Sequence, residues 1–236
     1  AFWRAVWELC YRAVGQDLLL ASPGQVVAYL AGGMNATFWG CVGMSLVRTG
    51  AAYVLGVALG VALAVLCHWA PLLGEVIRPA LAVVRATPVA SFIILALVWL
   101  SAGNVPILAG LLMVVPVVYA NVTQGIEAAD PQLLEMARMF GWKRPKVWRR
   151  ILLPTARPPF LAACEACVGM CFKATIAAEV IGVPRNAMGT QLYHAKIYLQ
   201  TDALMAWTVV IILLSMVTEK LLREAIERGR RRVHHP

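Results

Sequence analysis

Charge is what this sequence has least of. Only 14% of its 236 residues are Asp, Glu, Lys or Arg, and the acidic share is smaller still, 12 residues against 21 basic. A soluble domain carries about 25% charged and about 45–50% apolar residues; here the apolar share is 61% and the mean hydropathy +0.73. That excludes an ordinary soluble domain. No Gly-Lys-Ser/Thr phosphate loop occurs, so the chain is not itself an ATPase of that kind. No HExxH and no paired-carboxylate pattern occurs, and the histidines His68, His194, His234 and His235 are scattered, which argues against a membrane-embedded enzyme. No stretch alternates as a membrane β-strand does. No cleavable leader stands out: Arg4, Glu8, Arg12 and Asp17 interrupt the N-terminal stretch.

What remains is long apolar runs. The chain has room for five or six helical spans of about 20 residues. Five are clear: Ser45–Cys67, rich in glycine (Gly50, Gly56, Gly60) as close helix packing in a bilayer prefers; then about 80–102, with Arg85 and a Thr87-Pro88 break near its start; about 105–122; about 160–183; and about 204–218. Residues 1–15 are too short and too charged to cross alone. They read as the end of a span or as an interfacial helix. Ser22 is an N-cap and Pro23 the first residue of a short helix on the outer face.

The net charge of +9 does not point to nucleic acid. The basic residues gather around 138–157 and 223–232, flanking apolar spans, which is the positive-inside signature. It places the loop 123–159 and the tail 219–236 in the cytoplasm. The six cysteines are no disulfide framework in a chain neither short nor secreted. Cys164, Cys167 and Cys171 share a helical face; helix packing explains them better than a metal or redox site, because no histidine lies nearby in sequence.

The loop is itself organised. Asp130 reads as an N-cap and Pro131 as the first helical residue. Leu133, Leu134, Ala137 and Phe140 fall on one apolar face. Gly141 stops the helix, since glycine accepts the left-handed conformation there. Pro145 opens a second short helix with Val147, Trp148, Ile151 and Leu152 apolar and Lys146, Arg149 and Arg150 polar. Pro154 is expected to break it, and Pro158-Pro159 to lead into the next span. Such an element is either a connector held at anionic lipid headgroups or a docking device.

The spacing Glu135-Met136-Ala137, Gly141, Ile151, Leu153, Pro154 resembles the EAA signature, EAA-x3-G-x9-I-x-LP, of ABC-importer permeases, with Met136 in place of the first alanine. Glu127-Ala128-Ala129 spells the triplet but has Leu133 where the glycine belongs. "ASPGQVVAYL", "SLVRTGAAYVLGVALGVALA", "RATPVASFIILALVW" and "AAEVIGVP" are similar to further parts of such permeases, most of all the taurine/sulfonate/nitrate type, which includes thiamine-precursor importers. The resemblance implies an all-α, polytopic fold, the transmembrane domain of a type I importer, as a single domain over residues 1–236 with five clear spans plus a short or truncated first one. It implies a multi-pass protein of a bacterial inner membrane, with its C-terminus in the cytoplasm. The implied partners are a second permease copy, two cytoplasmic ATPase subunits that bind ATP and Mg, and an external binding protein; this chain would bind no cofactor or metal. The loop at about 130–154 would be the coupling helix, with Glu135, Ala137, Gly141, Trp142, Lys143, Ile151 and Pro154 meeting the ATPase. The chain departs from the family in its short N-terminus.

Three charges lie in the apolar run 160–183: Glu165, Lys173 and Glu179. An ionisable group there costs about 2.5–3.5 kcal/mol on insertion scales, so it faces a bundle interior or a watery path. Lys173 either attracts an anionic solute on that path or pairs with a carboxylate of another helix. Glu179, which the resemblance places at a shared position, is assigned to the path in a gate or interface role, and Thr87 and Pro88, by the same resemblance, to shaping that path. A transport subunit for a small anionic or polar solute is the leading reading. A membrane enzyme, or a passive channel or scaffold with no need of a coupling loop, is the alternative.

Overall fold

The computed structural model describes residues 2–16 and 19–231. The expectations for Asp17, for His234 and His235 and for the end of the basic tail fall outside the described residues, as does the side chain of Arg4. Among the described residues the chain is all helix: α1 (Phe2–Val14), α2 (Pro23–Gly33), α3 (Ala36–Trp69), α4 (Pro71–Ala86), α5 (Val89–Trp99), α6 (Val105–Glu127), α7 (Pro131–Met139), α8 (Arg144–Val147), a π-turn (Trp148–Leu152), α9 (Leu153–Gly182), α10 (Met188–Ile197) and α11 (Thr201–Arg231). Among the described residues, four helical stretches are long and apolar enough to cross a membrane: Ala36–Trp69, Val105–Glu127, Arg144–Gly182 and Thr201–Arg228. A fifth is reached if α4 and α5, a sharply bent pair separated by Thr87-Pro88, count as one broken span.

Most helices overrun their apolar runs. The first span starts at Ala36 rather than Ser45, and α11 continues well past Thr218 into the basic tail. Helix α4 begins at Pro71, ahead of the apolar run expected from about residue 80, and α10 lies where no helix was anticipated. At residues 22–25 a complete capping box forms: the Ser22 hydroxyl accepts from the Gln25 N–H at 3.2 Å, and the Gln25 side chain accepts from the Ser22 N–H at 2.7 Å.

The contacts divide the chain into two compact units. The first comprises Ala1–Gly50, Val89–Ala109 and Phe172–Thr218. Its main core joins Phe38, Cys41 and Val42 of α3 to Phe172 and Ile176 of α9, Met188 of α10 and Trp207 of α11, with the Phe38 and Trp207 rings stacked at 4.7 Å. A smaller cluster packs α5 (Ile93, Ala96) on α6 (Val105, Ala109) and on Ala178.

The second unit comprises Ala51–Pro88, Gly110–Cys171 and Glu219–Pro236. Its packing is set by small residues. A Cβ at Gly56 would stand 2.7 Å from the Val114 Cβ, and one at Gly60 would stand 2.8 Å from the Val118 Cβ and 3.0 Å from the Val115 carbonyl oxygen. Two glycines four apart on α3 therefore receive two valines four apart on α6, the small-xxx-small approach of membrane helices. Gly50, grouped with them from sequence, has no such neighbour. Cys164, Cys167 and Cys171 are buried on α9; the Cys164 carbonyl accepts from the Tyr53 hydroxyl at 3.0 Å.

Pro154 does not break the chain into loop. Residues 144–182 run as one helical stretch, with the π-turn just before Pro154 and Pro158-Pro159 inside α9. The reason is local. In an α-helix the Pro154 ring would meet the carbonyl four residues back; the wider π-turn, where the Leu153 N–H bonds to the Trp148 oxygen, inserts an extra residue and makes room. The Thr155 hydroxyl donates to the Ile151 carbonyl at 2.8 Å, taking up one acceptor of the disturbed turn.

Candidate functional site

The hairpin at 130–154 is built by three local signals. The Asp130 side chain accepts from the Gln132 N–H at 2.8 Å and Pro131 opens α7. At the other end Gly141 takes φ +62°, its N–H bonds to the Arg138 oxygen at 3.0 Å and the Trp142 N–H to the Ala137 oxygen at 2.9 Å. These two bonds are a Schellman cap with Gly141 at its left-handed position. A Cβ at Gly141 would meet nothing within 4 Å, so the demand for glycine comes from the backbone angle and not from space.

The apolar face of α7 differs from the expected one. Ala137 is fully buried and Leu134 half-buried, but Leu133, Met136, Met139 and Phe140 are exposed, Met139 by 88% and Phe140 by 75%. The tip thus presents an apolar surface outward, with Arg138, Lys143, Arg144 and Lys146 also exposed beside it. Glu135 and Pro154 are exposed, Trp142 half-buried under Lys146, whose Nζ lies 4.2 Å from the ring centroid, and Ile151 buried. Behind the hairpin, the Trp148 ring lies 5.7 Å from His68 and 6.4 Å from Trp69, edge-on to the latter. The end of α3 and the second limb of the hairpin are therefore locked through aromatic contact. A cavity of about 540 Å³ opens beside them, lined by Leu134, Arg138, Trp142 and Trp148 among others.

Glu179 is 0% exposed. The Ser45 hydroxyl lies 2.8 and 2.7 Å from its two carboxylate oxygens, the Gly189 N–H donates to it at 3.2 Å and Arg48 Nη1 at 3.3 Å. The same Arg48 donates to the carbonyls of Asn186 (3.4 Å) and Arg185 (3.1 Å), and the Met188 N–H donates to Ser45. Glu179 is thus the centre of a clamp joining α3, α9 and the start of α10 within the first unit. It pins a loop in which Val183 and Asn186 have positive φ. The Thr87 hydroxyl donates to the Val83 carbonyl at 2.9 Å and caps its own helix, while Pro88 is exposed. Lys173 is exposed and enters none of the ion pairs among the described residues. Sequence reasoning missed Ser45 and Arg48. Arg48, a cation inside the apolar run of α3, was the available signal.

Residues 56–232 match the profile of the family described as binding-protein-dependent transport system inner membrane component. The chain belongs to this family. The permease is similar to the taurine transport system permease protein of Escherichia coli, with 25% identity over 92% of this chain and 81% of that one. A probable ABC transporter permease protein of Brucella melitensis is 28% identical over 83% of this chain and 79% of its own. A putative aliphatic sulfonates transport permease protein of Bacillus subtilis is 23% identical over 80% of this chain and 69% of its own. The fold matches a solved amino acid ABC transporter with a TM-score of 0.66 at 21% identity, over 83% of this chain and 94% of that one. The protein is thus a multi-pass inner-membrane permease subunit of an ABC importer, a transport protein and not an enzyme. ATP hydrolysis belongs to a partner subunit, and a binding protein belongs to the system.

Proposed function

We propose that this permease forms the path of a small anionic or polar solute and takes its motion from the partner ATPase through residues 130–154. The observation that carries the coupling reading is the hairpin tip. Met139 and Phe140 stand in the open on a rigidly capped turn, ringed by cations, while Trp148 fastens the second limb to α3. An exposed apolar tip on a stiff support is what a groove of a partner can grip. Glu135 and Lys143 flank it as charged contacts. ATP and Mg would be held by that partner and none by this chain. The basic loop and tail face the cytoplasm on this reading. Two relatives named for taurine and for aliphatic sulfonates favour a solute that bears a sulfonate or similar oxyanion group. Lys173, with its charge outside the chain's own packing, faces the path or a second copy. Glu179 acts from behind it, as a clamp.

The test is Gly141→Val in a complex reconstituted in lipid, with Phe140→Glu as a second variant that leaves the turn intact. A β-branched side chain in the left-handed region costs about 1–2 kcal/mol or more. Both variants should insert normally and lose ATPase association or solute-stimulated ATP hydrolysis. Normal association, hydrolysis and transport in both would reduce the hairpin to a connector.

A further inference from the structure

The second unit holds a polar cavity that the coupling reading does not use. It lies between α4 and α6 and measures about 240 Å³. From α4 come Arg78, Leu81, Ala82 and Arg85, spaced i, i+3, i+4, i+7 on one helical face. From α6 come Tyr119, Thr123 and Glu127, four apart on another, with Gln124 beside them.

Two features mark it as a built site. The Tyr119 hydroxyl is buried, 5% of the residue being exposed, and makes no ordinary hydrogen bond among the described residues, although the Arg78 guanidinium and the Cys67 thiol lie near enough to act on it. The Thr123 hydroxyl, one turn further along α6, is likewise buried without a partner. Buried hydroxyls left unpaired are unfavourable, and native structures keep few of them. The second feature is charge. Arg78 is held by Glu127 at 2.7 Å, whereas Arg85, two turns away, enters none of the ion pairs among the described residues. The cavity therefore carries one cation beyond balance. Its spare groups are hydroxyls, an amide and a guanidinium fork, all able to donate. The one carboxylate is already taken.

We propose that this cavity binds an oxyanion, the sulfonate, carboxylate or phosphate group of a small molecule, with Arg85 supplying the charge and Tyr119 and Thr123 the oriented donors. The planar guanidinium fork suits such a group better than a point charge does. Tyr119 sits eight residues before the end of α6, roughly 12 Å along the helix, and the loop that follows is the cytoplasmic one on the reading above. As a subsite for a transported solute, the cavity rests on that reading and would lie toward the cytoplasmic side. The same chemistry would also fit the phosphate of an anionic lipid reaching in from the bilayer.

The full-length permease, without its ATPase, is placed in phosphatidylcholine nanodiscs and titrated calorimetrically with methanesulfonate. In parallel, nanodiscs containing phosphatidylglycerol are examined by native mass spectrometry for retained lipid. Arg85→Gln and Tyr119→Phe are compared with the parent; Tyr119→Phe removes one oxygen and keeps the packing. Methanesulfonate binding weakened about tenfold or more in both variants identifies a solute subsite. Phosphatidylglycerol retention lost in both, with no methanesulfonate binding, identifies a lipid phosphate as the source and upholds the oxyanion chemistry. Equal behaviour of parent and variants toward both probes overturns the proposal. Because the readout needs no ATPase, this failure is separate from a failure of the hairpin to couple.

Discussion

Replacing Glu179 by Gln separates a clamp from a pathway residue. The change keeps volume and shape but removes the charge and turns one acceptor into a donor. Whichever way the amide lies, a donor then faces a donor: Arg48 Nη1 stood 3.3 Å from one oxygen, the Gly189 N–H 3.2 Å from the other, and Ser45 within 2.8 Å of both. Breaking a buried ion pair from one side costs about 3–5 kcal/mol. Arg48 keeps two backbone carbonyls and is 11% exposed, so the low end, about 3 kcal/mol, is expected. At about 2–4 °C per kcal/mol for a chain of this size, the thermal midpoint should fall by about 6–12 °C. Ser45→Ala removes the hydroxyl that bridges the carboxylate and the Met188 N–H, and should cost about 1–3 kcal/mol. Since the two residues share one network, the double variant should lose less than the sum, with a coupling of about 1 kcal/mol. The assay is the unfolding midpoint of the purified permease in detergent, followed by tryptophan fluorescence, beside solute uptake in proteoliposomes. An unchanged midpoint with uptake abolished would refute the clamp and return Glu179 to the path.

Lys173→Met should lower uptake while the complex still assembles; failure to assemble would make Lys173 structural, and normal uptake would remove it from the mechanism. Gly60→Val should lower the unfolding midpoint through overpacking of about 1–3 kcal/mol, because the Val115 carbonyl cannot move aside as a side chain could; an unaltered midpoint would mean the contact with α6 is slack. The mass of the purified complex should correspond to two copies of this chain, and one copy beside a different permease would exclude the homodimer.

What could be read from sequence was local chemistry. Ser22, Asp130 and Gly141 announce their roles because a cap needs only a few neighbouring residues and a backbone angle. That the spans are helices followed from apolar length, while their number agrees with the five read from sequence only if the bent pair α4 and α5 counts as one; their ends did not follow, since α3 and α11 stay helical beyond the point where the composition turns polar. Pro154 was misjudged because the π-turn that accommodates it involves residues up to six positions earlier, beyond the proline's usual four-residue reach. The partners of Glu179 were invisible for a different reason: Arg48 and Ser45 lie 131 and 134 residues away in sequence. The outward face of the hairpin was half visible, as helical spacing groups Leu133 with Phe140 but cannot say which stripe turns to the protein.

In a polytopic protein the segment between spans is ordinarily where a lineage can gain or lose residues without harm. The unbroken helix from Arg144 to Gly182 withdraws that freedom here. One residue added or removed between Val147 and Leu153 could not be absorbed as slack; it would turn everything downstream by about 100° about the helix axis, unless the π-turn itself was gained or lost in exchange. Length variation in this loop should therefore be confined to the few residues before Asp130.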